Sequence, residues 1–279
     1  MVRAIRILAT LLVVTVSSPL FAQTKGIASF GGLKNLEFIN DFYNGGTGSL
    51  GSGPGKDLQL TFPGNAQAIV SGAKGGSGNF TGNPGGTPVM FFQTGKDVVV
   101  DINAGVTTGL WFSYSALQPG TFTLYDGAHG TGNILASISL TPNNVGCTGY
   151  KMCVWSPVGV PLTTTAHSMR FSGTANFLAI GAIHFGVKLP ITMILASSLN
   201  PSLQGDAVTF TATISATGAL PIGTVRFKTG NVVVGEIPVV SGTASITLSS
   251  LPLGTTKITA IFRGEGFVTS TATLLQSVN

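Results

Sequence analysis

The sequence predicts an all-β protein built from two antiparallel β-sandwiches in series, and three observations predict this class. From Gln23 onward helical periodicity is almost absent, and short alternating or β-branched runs recur between Gly, Pro and Asn residues. Charged residues are 8% of the chain, against roughly a quarter in average globular proteins. Gly, Ser, Thr and Asn dominate instead, a composition typical of exported β-rich proteins.

The N-terminus predicts a secretory signal peptide over residues 1–22. Arg3 and Arg6 form a positive segment, residues 7–16 are apolar, and Ala22 ends a small-residue cleavage site. The apolar stretch is too short to span a membrane, and no later stretch of eighteen apolar residues follows. We therefore expect a mature chain with no membrane span, secreted or held at the cell surface by partners.

The net charge argues against nucleic acid as a partner. The formal charge is +5, and loss of Arg3 and Arg6 with the signal peptide leaves +3. The remaining basic residues are scattered singly, without the basic stripe that tracks a phosphate backbone.

Residues 23–189 are predicted to form the first domain, a jelly-roll-like antiparallel sandwich. Its strand-like runs recur at short spacing, with turn residues between them and no long helical pattern, which disfavours βαβ units. The runs are 59–62, 98–102, 110–114, 121–125, 134–140, 168–171 and 177–185.

Residues 190–279 are predicted to form the second domain, an immunoglobulin-like sandwich. They contain about seven strand-like runs, a number and length suited to that fold. Residues 208–214 read VTFTATI and place Val208, Phe210, Ala212 and Ile214 on one face. Threonine fills the outward positions, as suits a pleated surface that faces water.

The second domain also carries a distinctive set of motifs, which are Asn200-Pro201, Gly205, residues 208–213 (VTFTAT), Pro221 to Phe227 (PIGTVRF), Leu253 to Ala260 (LGTTKITA) and Phe262-Arg-Gly264. Together these motifs resemble the bacterial Ig-like repeat of large exported and adhesive proteins. The resemblance implies a non-catalytic spacer or binding module; one departure is Phe262, where the repeat usually has tyrosine.

The first domain carries short glycine-rich and aromatic motifs, which are Phe42 to Gly46 (FYNGG), Gly53-Pro-Gly55, Gly75 to Phe80 (GGSGNF), Phe112 to Tyr114 (FSY), Tyr125 to Gly127 (YDG), Gly130-Thr-Gly132 and Trp155. In these motifs it is similar to a family of exported bacterial β-sandwich proteins, many of which carry C-terminal sorting signals. The resemblance implies export and no particular enzymatic activity. A departure is Gly181, where the family's last strand commonly has aspartate.

Cys147 and Cys153 are the two cysteines of the chain. A close pair in an exported protein predicts a disulfide. A zinc site is the alternative, but two thiols lack the nearby further Cys or His ligands that zinc normally requires.

Residues 46–51 spell G-x-G-x-x-G, the form of a dinucleotide-binding fingerprint. That motif needs a strand before it and a helix after it, and Ser52-Gly-Pro-Gly-Lys cannot start a useful helix. We therefore expect a surface loop over residues 42–55 that binds no nucleotide, anchored by Phe42 and Tyr43, at least one of them packed inward.

Asp41, Asn44 and Asp126 are the candidate calcium ligands, because Ca²⁺ prefers carboxylate and amide oxygens. The alternative is that these residues only form turns through local hydrogen bonds. No cofactor is otherwise expected.

Flat aromatic rings could form a carbohydrate platform, and the candidates are Trp111, Tyr114, Tyr125, Tyr150 and Trp155. Alternation along one strand sends Tyr114 and Trp111 to opposite faces, so one of them faces the core, and Tyr150 is expected to be the most exposed. We expect a non-catalytic interaction or adhesion protein whose partners are glycans or other cell-surface proteins. The alternative is a carbohydrate-binding accessory protein or a carbohydrate-active enzyme, in which paired acids would face one cleft.

Overall fold

The computed structural model describes residues 25–216 and 218–279; the predicted signal peptide lies outside them. In this part of the chain the protein forms nineteen β-strands and two short 3-10 turns, which confirms the all-β prediction. The strands are β1 (Gly26–Ala28), β2 (Glu37–Phe38), β3 (Leu60–Thr61), β4 (Gln67–Ile69), β5 (Val89–Phe91), β6 (Asp97–Val106), β7 (Gly109–Ala116), β8 (Gly120–Tyr125), β9 (Ile134–Leu140), β10 (Ser156–Pro161), β11 (Ala166–Ser172), β12 (Leu178–Phe185), β13 (Ile191–Ser197), β14 (Val208–Ala216), β15 (Thr224–Thr229), β16 (Val232–Pro238), β17 (Thr243–Leu248), β18 (Gly254–Arg263) and β19 (Ser270–Val278).

Two antiparallel sheets form the first sandwich. One has the order β10-β7-β12-β5-β4-β2, with β1 beside the C-terminal part of β12, and the other has the order β3-β6-β11-β8-β9. Their apolar faces meet in one core, in which the rings of Phe112, Phe122 and Phe171 lie 4.9–5.2 Å apart. Alternation along each strand places these residues inward, as the pleat requires.

Strand β12 contains a bulge where it pairs with β7. Ile180 lies opposite Tyr114 and Ile183 lies opposite Phe112, so β12 uses one more residue than β7 over this interval. A bulge of this kind bends the strand and turns side chains that would otherwise point elsewhere. Gly181 and Ala182 occupy it, on the outer face of the sheet.

The second sandwich consists of the sheets β13-β14-β17 and β16-β15-β18-β19. Phe210, Phe227 and Ile258 are fully buried in its core, as predicted. Phe262 is also fully buried and packs edge-on against Phe267, with ring centroids 6.1 Å apart. The position usually held by tyrosine therefore lies in an apolar environment that a phenylalanine satisfies.

Backbone hydrogen bonds join the two sandwiches. The Gly159 N–H donates to the Gly218 carbonyl over 3.0 Å, and the Leu189 N–H donates to the Gly266 carbonyl over 2.8 Å. Leu189, the last residue of the predicted first domain, is buried in the second core. The division of the chain after residue 189 stays a prediction.

Cys147 and Cys153 are joined in a disulfide, as predicted, with their Cα atoms 5.5 Å apart. The loop that they close is tied to the first sandwich because the Lys151 N–H donates to Asn79 Oδ1 over 2.8 Å. The Met152 carbonyl also accepts from the Thr81 N–H over 2.9 Å.

Among residues 25–216 and 218–279, the protein has no helix with the length and hydropathy needed to cross a membrane.

Candidate functional site

Trp111 and His184 lie side by side on the outer face of the seven-stranded sheet. Strand β7 turns Phe112 and Tyr114 into the core and Trp111 outward, which confirms the predicted opposition of Trp111 and Tyr114. His184 is the cross-strand partner of Trp111 on β12. The two rings stack with centroids 3.6 Å apart and planes 11° from parallel. The pair forms a flat, rigid wall.

Trp155 lies just before β10, on the same outer face. Its indole N–H donates to the Thr81 carbonyl over 2.8 Å. Its ring meets the buried Phe80 edge-on, with centroids 5.9 Å apart. These two contacts hold a half-buried tryptophan in one orientation.

Both tryptophans and His184 line a groove of about 500 Å³. That volume lies within the range of sites for small molecules. Most of the wall is apolar, with hydroxyl groups from two serines, and none of the lining residues is acidic. The lining residues are Ile27, Ser29, Pro84, Gly85, Trp111, Ser113, Trp155, Pro157, Ala182 and His184.

The bulge in β12 shapes the floor of this groove. The hydroxyl of Ser113 donates to Asn83 Oδ1 over 3.2 Å, and both groups face Gly181. A Cβ atom at residue 181 would lie 2.7 Å from Asn83 Oδ1 and would also overlap the Ser113 hydroxyl. An aspartate, which is common at this place in the similar family, would not fit beside this hydrogen bond.

Burial lowers the pKa of His184 below its usual range. The imidazole is therefore neutral at neutral pH, with one nitrogen that donates and one that accepts a hydrogen bond. A neutral ring suits the close stacking on Trp111 and leaves the groove without a charge.

Residues of the second sandwich pack against two of the residues that line the groove. Trp111 packs against the second core as well as against His184. Gly218 of the second sandwich lies against Pro157, near the start of β10. A Cβ atom on Gly218 would lie 2.6 Å from the Pro157 carbonyl oxygen. Two groove residues, Trp111 and Pro157, thus contact the second sandwich.

The glycine-rich segment of residues 46–51 is wrapped around a carboxylate of its own chain. Glu37 is fully buried. Its Oε2 accepts from the Lys34 N–H and the Ser52 hydroxyl, each over 2.6 Å. Its Oε1 accepts from the N–H groups of Leu50 and Ser52 over 2.9 and 3.0 Å. Gly48 lacks a side chain where a Cβ atom would overlap Glu37 Oε1.

Two opposing effects act on the Glu37 carboxyl. Its burial raises the pKa, but the hydrogen bonds from Lys34, Ser52 and Leu50 favour the charged form and together lower the pKa. The carboxylate is therefore ionised at neutral pH and holds the loop in place. Phe42 and Tyr43 are both buried beneath the loop, so the predicted inward anchor is confirmed for both residues.

Of the three predicted calcium ligands, Asp41 and Asn44 share one turn and Asp126 lies in a different loop. Asn44 lies beside Thr61 of β3 and Asn103 of β6. Asp126 follows β8 and accepts hydrogen bonds from the side-chain amide and the N–H of Asn133, which lower its pKa. Strand β11 lies between β6 and β8.

Asp41 uses its backbone carbonyl to accept from the N–H groups of Asn44 and Gly46. In the described residues no group of three or more His, Cys, Asp or Glu side chains is placed to hold a metal ion. Calcium at Asp41, Asn44 or Asp126 stays a prediction.

An acid–base pair, Asp101 and His129, lies beside the five-stranded sheet. His129 Nδ1 is 2.6 Å from Asp101 Oδ2, and the histidine side chain is 82% exposed. The nearby Ser168 hydroxyl donates to the Gly127 carbonyl and accepts from the Gly130 N–H. Ser168 is therefore engaged by backbone groups and does not complete a nucleophilic triad with this pair.

The other three aromatic candidates lie away from the groove. Tyr114 is buried, and Tyr125 is buried beneath Arg170, whose guanidinium carbon is 5.3 Å from the ring centroid. Tyr150, expected to be the most exposed, is half-buried and lies 3.4 Å from the position of a Cβ atom on Gly72. His184 was not among the predicted site residues, although its place between the inward-facing Ile183 and Phe185 indicates an outward side chain.

Residues 195–279 match the family model of the bacterial Ig-like domain (group 3). The second sandwich is therefore a bacterial Ig-like domain, as the resemblance implied, and such a domain fits a surface or extracellular module. No curated protein matches the sequence.

Several solved structures overlap weakly with the chain. The glycoside hydrolase domain of Endo-D from Streptococcus pneumoniae R6 is 12% identical with a TM-score of 0.28, over 78% of this chain and 37% of that chain. Beta-glucuronidase 3 from Bacteroides uniformis is 10% identical with a TM-score of 0.25, over 67% and 27%. The β-glucuronidase from Ruminococcus gnavus is 11% identical with a TM-score of 0.24, over 70% and 41%. The chain spans less than half of each structure, and similarity this weak indicates neither a shared fold nor a shared function.

Proposed function

We propose that this protein is an exported, non-catalytic interaction protein that binds carbohydrate in the groove between Trp111 and Trp155. The observation that supports the proposal best is the groove itself, in which two fixed indole rings and a neutral histidine surround an uncharged floor. The Ig-like domain presents this site to glycans of a cell surface or matrix, so the protein acts in adhesion.

The chemistry of a sugar ring matches these walls. A pyranose has one apolar face of C–H groups, which packs on a flat aromatic ring, and a rim of hydroxyl groups that need hydrogen bonds. The indoles of Trp111 and Trp155 supply the flat apolar surface. His184 and the serines supply donors and acceptors at the edge of the groove, as in small-molecule sites that combine apolar walls with few polar groups.

The absence of acidic residues from the groove lining supports binding over hydrolysis. Glycoside hydrolysis commonly needs two carboxyl groups that flank the scissile bond. The nearest arrangement of acid–base type described above, Asp101 with His129, belongs to the other sheet of the sandwich.

A glycan array with the mature chain tests the proposal first, and fluorescence titration then locates the site. The chain has only two tryptophans, and both line the groove, so intrinsic emission reports directly on its occupation. We expect a saturable change in emission with the glycan selected on the array. Chromatography of the glycan after incubation should show no cleavage, since cleavage would establish the enzyme alternative.

Three variants test whether the groove is the site. Trp155→Ala and Trp111→Ala should each weaken glycan binding by about tenfold or more, because aromatic residues at the centre of a site contribute most of its affinity. Ile27→Arg changes an exposed residue at the groove rim and should obstruct the groove without touching the core. Phe38→Ala and His129→Ala, exposed aromatic and histidine positions elsewhere, are the matched controls. Equal binding by Ile27→Arg and the wild type would contradict the proposal.

A further inference from the structure

A second cavity, separate from the groove, lies at the edge of the first sandwich. Its volume is about 280 Å³, just below the usual range for small-molecule sites. Its interior is apolar and includes Ile69, Phe80, Phe91 and Leu117. A cavity of this size accommodates one small ligand rather than a segment of polypeptide.

The disulfide loop forms one wall of this cavity. Lys151 and Met152 both line it, and both belong to the segment closed by Cys147 and Cys153. The Lys151 N–H donates to Asn79 Oδ1, and the Met152 N–H donates to the Asn79 carbonyl over 3.2 Å. The disulfide and these bonds together hold Lys151 at the rim.

The rim presents hydrogen-bond donors. Lys151, Asn79 and Asn176 are exposed residues that line the cavity. Because Asn79 Oδ1 accepts from the Lys151 N–H, the amide group of Asn79 retains its N–H₂ donors for a ligand. Lys151 has no part in the three ion pairs formed among the described residues, and none of the lining residues is acidic.

We propose that this cavity binds a small amphipathic carboxylate, with its apolar part against Phe80, Phe91 and Leu117 and its carboxylate at Lys151 and Asn79. The apolar interior takes a hydrocarbon chain or a single ring. The single ammonium matches the single charge of a carboxylate, whereas a phosphate monoester carries about −1.5 to −2 at pH 7. Phe80 lines this cavity and also contacts Trp155 of the groove, but the proposal does not rest on the proposed function.

Calorimetric titration of the mature protein with octanoate tests the proposal, with 1-octanol and octyl phosphate as the comparison ligands. Octanoate should bind saturably and more tightly than either comparison ligand. Lys151→Met keeps the length of the side chain but removes its charge, and it should weaken octanoate binding by about tenfold while leaving octanol binding unchanged. Lys257→Met, an exposed lysine on the Ig-like domain, should bind octanoate like the wild type.

A second pair of variants tests the position of the site. Cys147→Ser combined with Cys153→Ser releases the loop and should weaken octanoate binding. Ile27→Arg, at the rim of the separate groove, should leave octanoate binding unchanged. No octanoate binding at millimolar concentration, equal binding of octanoate and octanol to the wild type, or unchanged octanoate affinity of Lys151→Met would each overturn the proposal.

Discussion

Strand β7 of the first sandwich carries Trp111 and Ser113 on its outer face, whereas strand β14 of the Ig-like domain carries Thr209 and Thr211 on its outer face. The threonines of β14 pair across the sheet with hydroxyls of β17: Thr209 with Thr247 over 2.8 Å, and Thr211 with Ser245 over 2.9 Å. The outer face of β7 instead borders the groove, beside the bulge of β12.

This difference separates a flat sheet surface from the proposed binding surface within one all-β chain. Short hydroxyl side chains that bond to one another leave a flat sheet surface with its polar groups satisfied. Large aromatic side chains next to a bulge leave a concave surface, because the bulge shifts one strand against its neighbour. The same inward–outward alternation underlies both faces, and only the outward residues and the local register differ.

The largest expected change in the free energy of unfolding comes from a core substitution in the Ig-like domain, and it tests whether that domain folds independently. Phe227 is fully buried, and Phe227→Ala should lower the free energy of unfolding by about 3–5 kcal/mol because it leaves a cavity. Urea denaturation of a fragment spanning residues 190–279 measures this. Val232→Ala, at a 65% exposed position, should change stability by less than about 0.5 kcal/mol. A fragment without a cooperative transition would show that the domain depends on its contacts with the first sandwich.

A smaller loss is expected when the buried carboxylate of the first sandwich is neutralised. Glu37→Gln should cost about 2–4 kcal/mol, because an amide N–H₂ would face backbone N–H donors in place of a charged acceptor. Glu236→Gln, at a surface ion pair of the Ig-like domain, should cost about 0–1 kcal/mol. Equal losses for the two variants would mean that the glycine-rich loop does not depend on Glu37.

The same carboxylate predicts how stability depends on pH. The pKa of Glu37 is lowered from about 4.5 in the folded state, so the unfolded chain binds more protons as the pH falls below that value. Its contribution is therefore complete above about pH 4.5 and is lost as the pH falls through the folded pKa. Denaturation curves of the wild type and Glu37→Gln should differ at neutral pH and converge in acid.

Alanine substitutions at two glycines test the junction of the two sandwiches. Gly218 has φ +70° and lies against Pro157, whereas Gly230 has φ +56° with nothing near its Cβ position. Alanine at either position should cost about 1–2 kcal/mol of backbone strain, and Gly218→Ala should cost more because its Cβ atom would also overlap the Pro157 carbonyl oxygen. Only Gly218→Ala should also shift the tryptophan emission, since Trp111 packs across the junction. An unchanged emission maximum would show that the environment of Trp111 in the groove does not depend on the contact with the Ig-like domain.

The smallest expected effect is a shift in the titration midpoint of His184. Burial lowers its pKa, so its NMR titration midpoint should lie below 6.5, and Trp111→Ala should raise the midpoint because it exposes the ring. The unfolded chain takes up this proton at a higher pH than the folded chain. The contribution of His184 to stability therefore falls as the pH drops from about 6.5 through the folded pKa. A titration midpoint at or above 6.5 in the wild type would contradict the conclusion that burial lowers the pKa of His184.

The sequence by itself determined which side of each strand faces a core. Side chains alternate along a strand with a period of two, so the run of residues 208–214 sufficed to place Phe210 inside, and β7 sufficed to separate Tyr114 from Trp111. The disulfide was also predictable, because Cys147 and Cys153 lie close together in a chain that the sequence predicts to be exported. The Ig-like domain followed from its motifs, which are local.

Only the tertiary structure decided which outward residues became neighbours. His184 stacks on Trp111, Trp155 completes the groove from the segment just before β10, and Glu37 is enclosed by Leu50 and Ser52. Conversely, Asn44 and Asp126 were grouped by residue type, but Asn44 lies in a turn between β2 and β3 and Asp126 lies just after β8. Such neighbours are set by the order of strands in a sheet and by the register shift at a bulge, and the periodicity of a single strand contains neither.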